Sequence, residues 1–388
     1  MTMESNAFYA ACNLKGNPFR SNPTHTNDPR MGIWVGYEKQ RAQFLKFLTR
    51  TRSDQVGNAN FIMLYGGFGT GKSHALLWAQ NYILSVKQDE FQSVCYFVPS
   101  LKKGKGQFTF AGAFVDDILT KSKILTDLQS YRTFLRTSIV KYRDEMGVGN
   151  EVKDDDIIEK IIPSVDLYNF AKELVDAETE AEIRSVVSPK GLTDHQAVTI
   201  FTRIVNLFVH EIVLKAGPRR FKKAAFLFID ELDDLQLAST KEARLVNDTL
   251  RHLYDSCPNA FGLVIALSAE IAELSSMFED FILSRIQRQI ELHLLDRDDA
   301  VEFVVAILDR WRVDPAGQGG PFPFERNSIE AITSQLVEIT PRKIVNTMQE
   351  VLEEVRLAGK NPADGPVSIK DLDDGDILEE VFGAGGIV

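Results

Sequence analysis

The run of residues 60–86 constrains this chain more than any other part of it. NFIMLY is a short apolar run of the length of a buried parallel strand; GGFGTGKS follows without a spacer; HALLWAQNYILSV then reads as an amphipathic helix. Gly66, Gly69 and Gly71 carry no side chain, so the backbone can wrap an anion closely with its N–H groups pointing inward. The positive end of the following helix adds to that attraction. A strand–GxxxxGK[ST]–helix order is the Walker A context, in which Lys72 reaches the β- and γ-phosphates of ATP and the Ser73 hydroxyl binds Mg²⁺. The nucleotide-binding set is therefore Gly66, Gly67, Phe68, Gly69, Thr70, Gly71, Lys72 and Ser73. A Gly-rich turn alone would be a structural feature; the flanking strand and helix make it a phosphate cradle.

Hydrolysis needs a second strand that carries carboxylates. Residues 224–229 (AAFLFI) form such a run and lead into Asp230 and Glu231. Asp230 would hold Mg²⁺ through water, and Glu231 would polarise the attacking water. An apolar run followed by Asp-Glu is weak alone and strong beside a phosphate loop. A third run, residues 263–267 (LVIAL), ends in Ser268. That serine could contact the γ-phosphate or the water as a sensor, or simply cap the helix after it.

Composition excludes several other classes. The 388 residues suit two or three domains, and the balance of 44% apolar and 26% charged residues is that of an ordinary globular protein. Three cysteines without a Cys-x-x-Cys pair argue against a disulfide framework or a thiolate metal site, and the six histidines are scattered. The N-terminus lacks a basic-then-apolar leader, and no apolar run approaches the roughly 18 residues of a membrane span, so a cytoplasmic location is expected. The net charge of −11 confines any nucleic-acid contact to local patches. Two exist: Lys102, Lys103 and Lys105 in LKKGKGQ, and the KAGPRRFKK stretch before the second strand; each could also be a solvated loop. The acidic stretch DLDDGDILEE is expected to be a solvated tail or a partner-binding segment.

IDELDDL, a helix ending LRHLYDSCPNA, and GLVIALSAE together resemble the Walker B-to-sensor 1 stretch of AAA+ ATPases. Within them the sequence is most similar to the Orc/Cdc initiator group and to ExeA- and TnsC-type ATPases. NPFRSNPTHTNDPRMGIWVGYEKQRAQFLKFL resembles that group's N-terminal motif, which lies over the adenine. SRIQRQIELHLLDRDDAVEFVVAIL resembles the join between core and helical lid, and ITPRKIVNTMQEVL the sensor 2 helix. The resemblance covers roughly residues 17–100 and 224–358. It implies that Arg285, or Arg288 in its place, reaches a neighbouring subunit's nucleotide, and that Arg342 contacts the γ-phosphate from the lid. An arginine supplied in trans can contribute about 10³–10⁵ in rate. The plain alternatives are a salt-bridged surface Arg285 and a first-turn Arg342.

The expected fold is α/β: an AAA+ P-loop parallel sheet with a helical insertion and a small α-helical lid. Its expected parts are an adenine-covering segment (1–59), the core (60–295, insertion about 105–220), the lid (296–360) and the acidic tail (361–388). Helical pattern in the insertion covers roughly 126–146, 155–186 and 193–216, with Thr193 or Asp194 as the last cap. The residues after Gly359 are expected to be too few for the winged helix that initiators carry. The implied function is an ATP hydrolase that gates a homo-oligomer, ring or filament, on double-stranded DNA, as a loader or target selector in transposition, replication or mobile-element defence. A partner protein is expected and a membrane is not. The alternatives are a STAND-like signalling switch and a scaffold subunit with structural ATP, both directed to protein partners.

Overall fold

A continuous apolar run can be buried on both faces of a sheet only where helices cover both sides and neighbouring strands satisfy its backbone. The computed structural model, which describes residues 4–20, 28–104, 106–149 and 151–383, places the apolar runs there. The strands are β1 (Asn60–Gly66), β2 (Val94–Val98), β3 (Lys102–Lys103), β4 (Gln107–Phe108), β5 (Glu211–Leu214), β6 (Gly217–Arg220), β7 (Ala225–Ile229), β8 (Phe261–Ser268) and β9 (Arg288–Glu291). Five of them form one sheet in the order β2-β7-β8-β1-β9. β7 runs parallel to β2 and to β8, with Ile229 opposite Val98 on one side and Ile265 on the other. Every residue of β1 and β7 is buried. With the helices around it, this is an α/β fold built on a parallel sheet.

Two compact units divide the chain: residues 43–65 with 79–290, and residues 1–42 with 66–78 and 291–388. In the first, packing is tight enough to require a glycine. Gly262 of β8 is the register partner of Phe226 in β7, and a Cβ there would lie 2.4 Å from the Phe226 ring. Gly262→Ala is therefore expected to destabilise the protein by about 1–3 kcal/mol through overpacking. A lowered urea midpoint with an unchanged slope would show this; an unchanged midpoint would mean that the ring moves aside freely.

Between β4 and β5 the chain is helical. Helix Ile124–Met146 closes on Gly147 in the left-handed region, at φ 64°. The stretch 155–186 is not one helix but three: Asp154–Ile161, Val165–Asp176 and Glu180–Val187. Pro163 holds Ile162 extended, at φ −127° and ψ 90°, and a capping box of Thr179 with Glu182 starts the third. Helix Asp194–Val209 is capped by Thr193, whose side chain and that of Gln196 form another capping box. Asp194 instead accepts from the Thr109 hydroxyl and the Ala111 amide, both at 2.7 Å. This helix stops at Val209, short of the expected 216, because Ile212 and Leu214 are buried while Val213 is exposed. That alternation suits a strand, and β5 pairs with β6 as a hairpin. The rings of Tyr131, Phe134, Phe208 and Phe221 pack beneath it, centroids 5.1–6.1 Å apart.

The second unit contains helices Arg297–Arg310, Arg326–Ser334 and Pro341–Leu357, a small α-helical lid. The N-terminal segment is built onto it. Phe8 and Phe19 are fully buried, Asn17 donates to the Gln349 carbonyl at 3.2 Å, and the Tyr9 hydroxyl donates to Glu353. The Asn17 side chain also accepts from the Phe19 amide at 3.0 Å, which fixes the turn of the NPF motif. The acidic C-terminal stretch is not a solvated tail over 369–382. It forms helices Ile369–Asp374 and Ile377–Phe382, with Leu372, Ile377 and Phe382 buried and Asp371 paired to Lys360 at 2.7 Å. Its carboxylates hide an apolar residue every few positions, which the charge run masks in the sequence. Among the described residues, no helix is long and apolar enough to cross a membrane.

Candidate nucleotide site

Gly66, Gly69 and Gly71 adopt φ of 146°, 80° and 99°, values that favour glycine. Two of them are also pressed from outside. A Cβ on Gly66 would lie 2.3 Å from the Leu292 carbonyl oxygen; one on Gly69 would lie 3.0 Å from the Arg342 Cβ and 3.2 Å from the Thr340 hydroxyl. The loop thus turns inward on its own backbone. Lys72, the first residue of helix Lys72–Asn81, is buried, and its ammonium donates to the Gly66 and Gly67 carbonyls at 3.0 and 2.8 Å. The Thr70 hydroxyl donates to the Gly67 carbonyl at 3.0 Å and closes the turn. Gly67, Phe68 and Ser73 are exposed, Phe68 by 71%. A positive charge stands inside a loop whose outer residues face solvent.

The helix after the loop is held from the N-terminal side. The His74 ring contacts the Ile33 carbonyl oxygen through Nε2 at 2.7 Å, and burial holds its pKa below the usual value, so the ring is the neutral donor. Trp34 meets Trp78 edge-on at 4.8 Å and donates to the Tyr37 carbonyl, while the Tyr37 hydroxyl donates to the His293 carbonyl at 2.7 Å. Gly36, at φ 83°, leaves room for Leu295, which a Cβ would approach to 2.5 Å. Ile33 and Trp34 thus buttress the phosphate-loop helix, and Gly36 and Tyr37 tie the same segment to Leu295 and His293. On the lid, Thr340 caps helix Pro341–Leu357 through Lys343, and the Arg342 amide donates to the Gly69 carbonyl at 3.3 Å. Arg342 thereby stands with its main chain on the loop and its side chain exposed.

The carboxylates belong to the sheet unit. Asp230 follows β7 and is buried; its amide donates to the Val98 carbonyl at 2.9 Å, and its Oδ1 accepts from the Glu231 amide at 3.0 Å. Glu231 is exposed and adopts φ 51°. A non-glycine residue in the left-handed region costs about 1–2 kcal/mol, and such strain persists only where neighbours impose it. Here they do: Leu232 is buried and donates to the Ala266 carbonyl at 3.2 Å, and Asp233 accepts from the Ser268 amide. Ser268 at the end of β8 is thus tied to the turn that follows Glu231.

Arg285 is engaged. It donates from two nitrogens to Asp255 at 2.7 and 2.8 Å and from a third to the Phe281 carbonyl at 2.6 Å. Arg288, in β9, is exposed and makes no ion pair among the described residues. The basic loop is a short hairpin, β3 with β4, in which Lys103 pairs with Phe108's neighbour Gln107 and Lys102 with Phe108. Lys102 is exposed and meets Asp234 at 3.0 Å; Lys103 is mostly covered and committed to the buried Asp117. Lys105 lies outside the described residues.

Sequence reasoning missed three contributors. Thr340 stands against Gly69, and a threonine before Pro341 carries no local sign of that contact. Asp233 and Asp234 stood in view in IDELDDL, but nothing local says that one would reach the Ser268 amide and the other Lys102.

No protein-family model matches the sequence, and a search of the curated proteins finds no match. Solved structures do match. The ORC2 protein of Aeropyrum pernix, in ADPNP-ADP complexes, gives a TM-score of 0.51 at 12% identity, over 93% of this chain and 71% of that one. Drosophila ORC bound to DNA gives 0.50 at 12% identity, over 97% and 67%. With its parallel sheet, phosphate loop and helical lid, the chain has the AAA+ fold of the Orc/Cdc initiator type.

Proposed function

We propose that the chain binds and hydrolyses ATP and uses the nucleotide to gate its own assembly on double-stranded DNA, as a loader or target selector. The observation that carries the proposal is the contact of the lid with the phosphate loop: the Arg342 amide lies on the Gly69 carbonyl, and Lys72 fills the same loop. A triphosphate that draws Lys72 off the Gly66 and Gly67 carbonyls changes the surface on which the first turn of helix Pro341–Leu357 rests. Nucleotide state is then felt by the lid, and a difference in affinity between two lid positions is all that a switch requires. The Arg342 side chain would add a charge on the γ-phosphate from the same subunit.

Ser73 and Asp230 would hold Mg²⁺. A hydroxyl and a carboxylate are hard oxygen donors, and two protein ligands beside phosphate oxygens and water suit this ion. Bound there, Mg²⁺ neutralises charge on the β- and γ-phosphates. Glu231 accepts the proton of the attacking water, with Ser268 orienting that water from the end of β8. An arginine of a neighbouring subunit stabilises the charge that develops. Arg285 would have to leave Asp255 and the Phe281 carbonyl to do so, which favours Arg288 for that role.

For DNA, the support is the exposed Lys102 at the hairpin and the shared fold with an initiator solved on DNA. Lys103 is committed to Asp117, so it contributes to the hairpin's foot more than to a phosphate contact. Negative-stain imaging with a slowly hydrolysed ATP analogue, with and without duplex DNA, tests the reading. Rings or filaments that need both ligands are expected. Assembly that is identical without DNA would overturn the DNA part in favour of a protein-directed switch. Particles that never assemble would overturn the gating.

A further inference from the structure

The hairpin and the turn after Glu231 are neighbours because β2 pairs with β7. The hairpin leaves the carboxyl end of β2 and is anchored there: Leu101 and Phe108 are buried, and the Thr109 amide donates to the Leu101 carbonyl at 2.9 Å. Gly104 and Gly106, at φ 52° and 84°, turn its tip. The turn Asp233–Leu237 leaves the carboxyl end of β7 and is anchored by buried Leu235 and by Asp233 on the Ser268 amide. Across the gap the Lys102 ammonium meets the Asp234 carboxylate at 3.0 Å, with side-chain exposures of 37% and 44%. Glu242 adds a further negative field near Lys102 and is itself held in the capping box of Ser239.

We propose that Asp234 is an intramolecular competitor for the nucleic-acid backbone: its carboxylate occupies Lys102 as a phosphate would, so duplex binding must break this pair. The proposal rests on the DNA reading above and adds its regulation. Three features favour a competitor over a strut. The pair is exposed on both sides, so a polyanion can reach it. The hairpin and the turn each have their own buried anchors, so neither needs the pair to keep its shape. The pair also lies three positions after Glu231, so the groups that read the duplex and the groups that carry the water chemistry share one turn. Breaking it releases Asp234 to solvent while Asp233 stays on Ser268, and the duplex and the ion pair exclude each other by mass action.

An exposed ion pair contributes little, so the effect is bounded at up to about fivefold in affinity. The test is fluorescence anisotropy of a labelled duplex with the full chain and a slowly hydrolysed ATP analogue, for wild type, Asp234→Asn, Lys102→Ala and the double variant. Asp234→Asn is expected to bind the duplex more tightly, by up to about fivefold. Lys102→Ala is expected to bind more weakly, with a salt slope lower by about one. In the Lys102→Ala background, Asp234→Asn is expected to change nothing further. Wild-type binding that Asp234→Asn does not tighten would overturn the proposal, as would equal tightening in both backgrounds, which would assign the effect to diffuse charge. Absence of duplex binding by all four proteins would overturn the DNA reading itself, and the proposal with it.

Discussion

Glu231→Gln is expected to keep ATP bound and to lower the rate of hydrolysis by about 10²–10⁴, the range of a lost general base. The amide has the size and shape of the carboxylate but cannot take up the water's proton. Position 231 makes the comparison clean. The residue is exposed, and the left-handed backbone at φ 51° is held by the contacts of Leu232 and Asp233. Binding of a fluorescent ATP analogue and single-turnover hydrolysis, measured on the same preparation, separate the two steps. A variant that hydrolyses ATP at the wild-type rate would remove Glu231 from the mechanism. If the gating proposal is right, the same variant traps the assembled state with ordinary ATP.

Lys72→Ala is expected to weaken ATP binding by about two to three orders of magnitude, the range seen when one partner of a buried, hydrogen-bonded charge contact is truncated. The ammonium stands inside the loop, donating to the Gly66 and Gly67 carbonyls. Removing it takes away the charge that compensates the triphosphate and leaves two carbonyl dipoles facing the anion. The measurement is the thermal shift with Mg²⁺ and ATP. Ligand that binds the native state raises the unfolding temperature in wild type by mass action, and the variant is expected to show no rise at the same concentration. An equal rise in both proteins would mean that the loop's backbone N–H groups alone hold the nucleotide.

The two predictions differ in how much of their basis a linear reading supplies. The phosphate loop is legible because its chemistry is contiguous: three glycines, a lysine and a serine at fixed spacing fix the backbone and the charge within eight residues, with a strand before and a helix after. The buried strands are legible for a similar reason, since a parallel strand covered on both faces must be apolar throughout. Pro163 was also in view, and it divides a stretch whose helical periodicity reads as one element. Periodicity averages over a window, whereas a single proline acts on the residue before it.

Charge patterning is where a linear reading stops. A run of lysines and a run of aspartates each read as a solvated face, and nothing in either says which ammonium meets which carboxylate. Lys103 on Asp117, Lys102 on Asp234 and Arg285 on Asp255 are made by sheet order and by how far each element extends beyond it. The left-handed Glu231 likewise has no local signal, because the strain is imposed by partners at 266 and 268 on the next strand. The sequence by itself determined the buried strands and the phosphate-loop motif, since these depend on neighbours along the chain. Only the tertiary structure decided which side chains stay available to a ligand, because availability depends on partners that folding brings from distant positions.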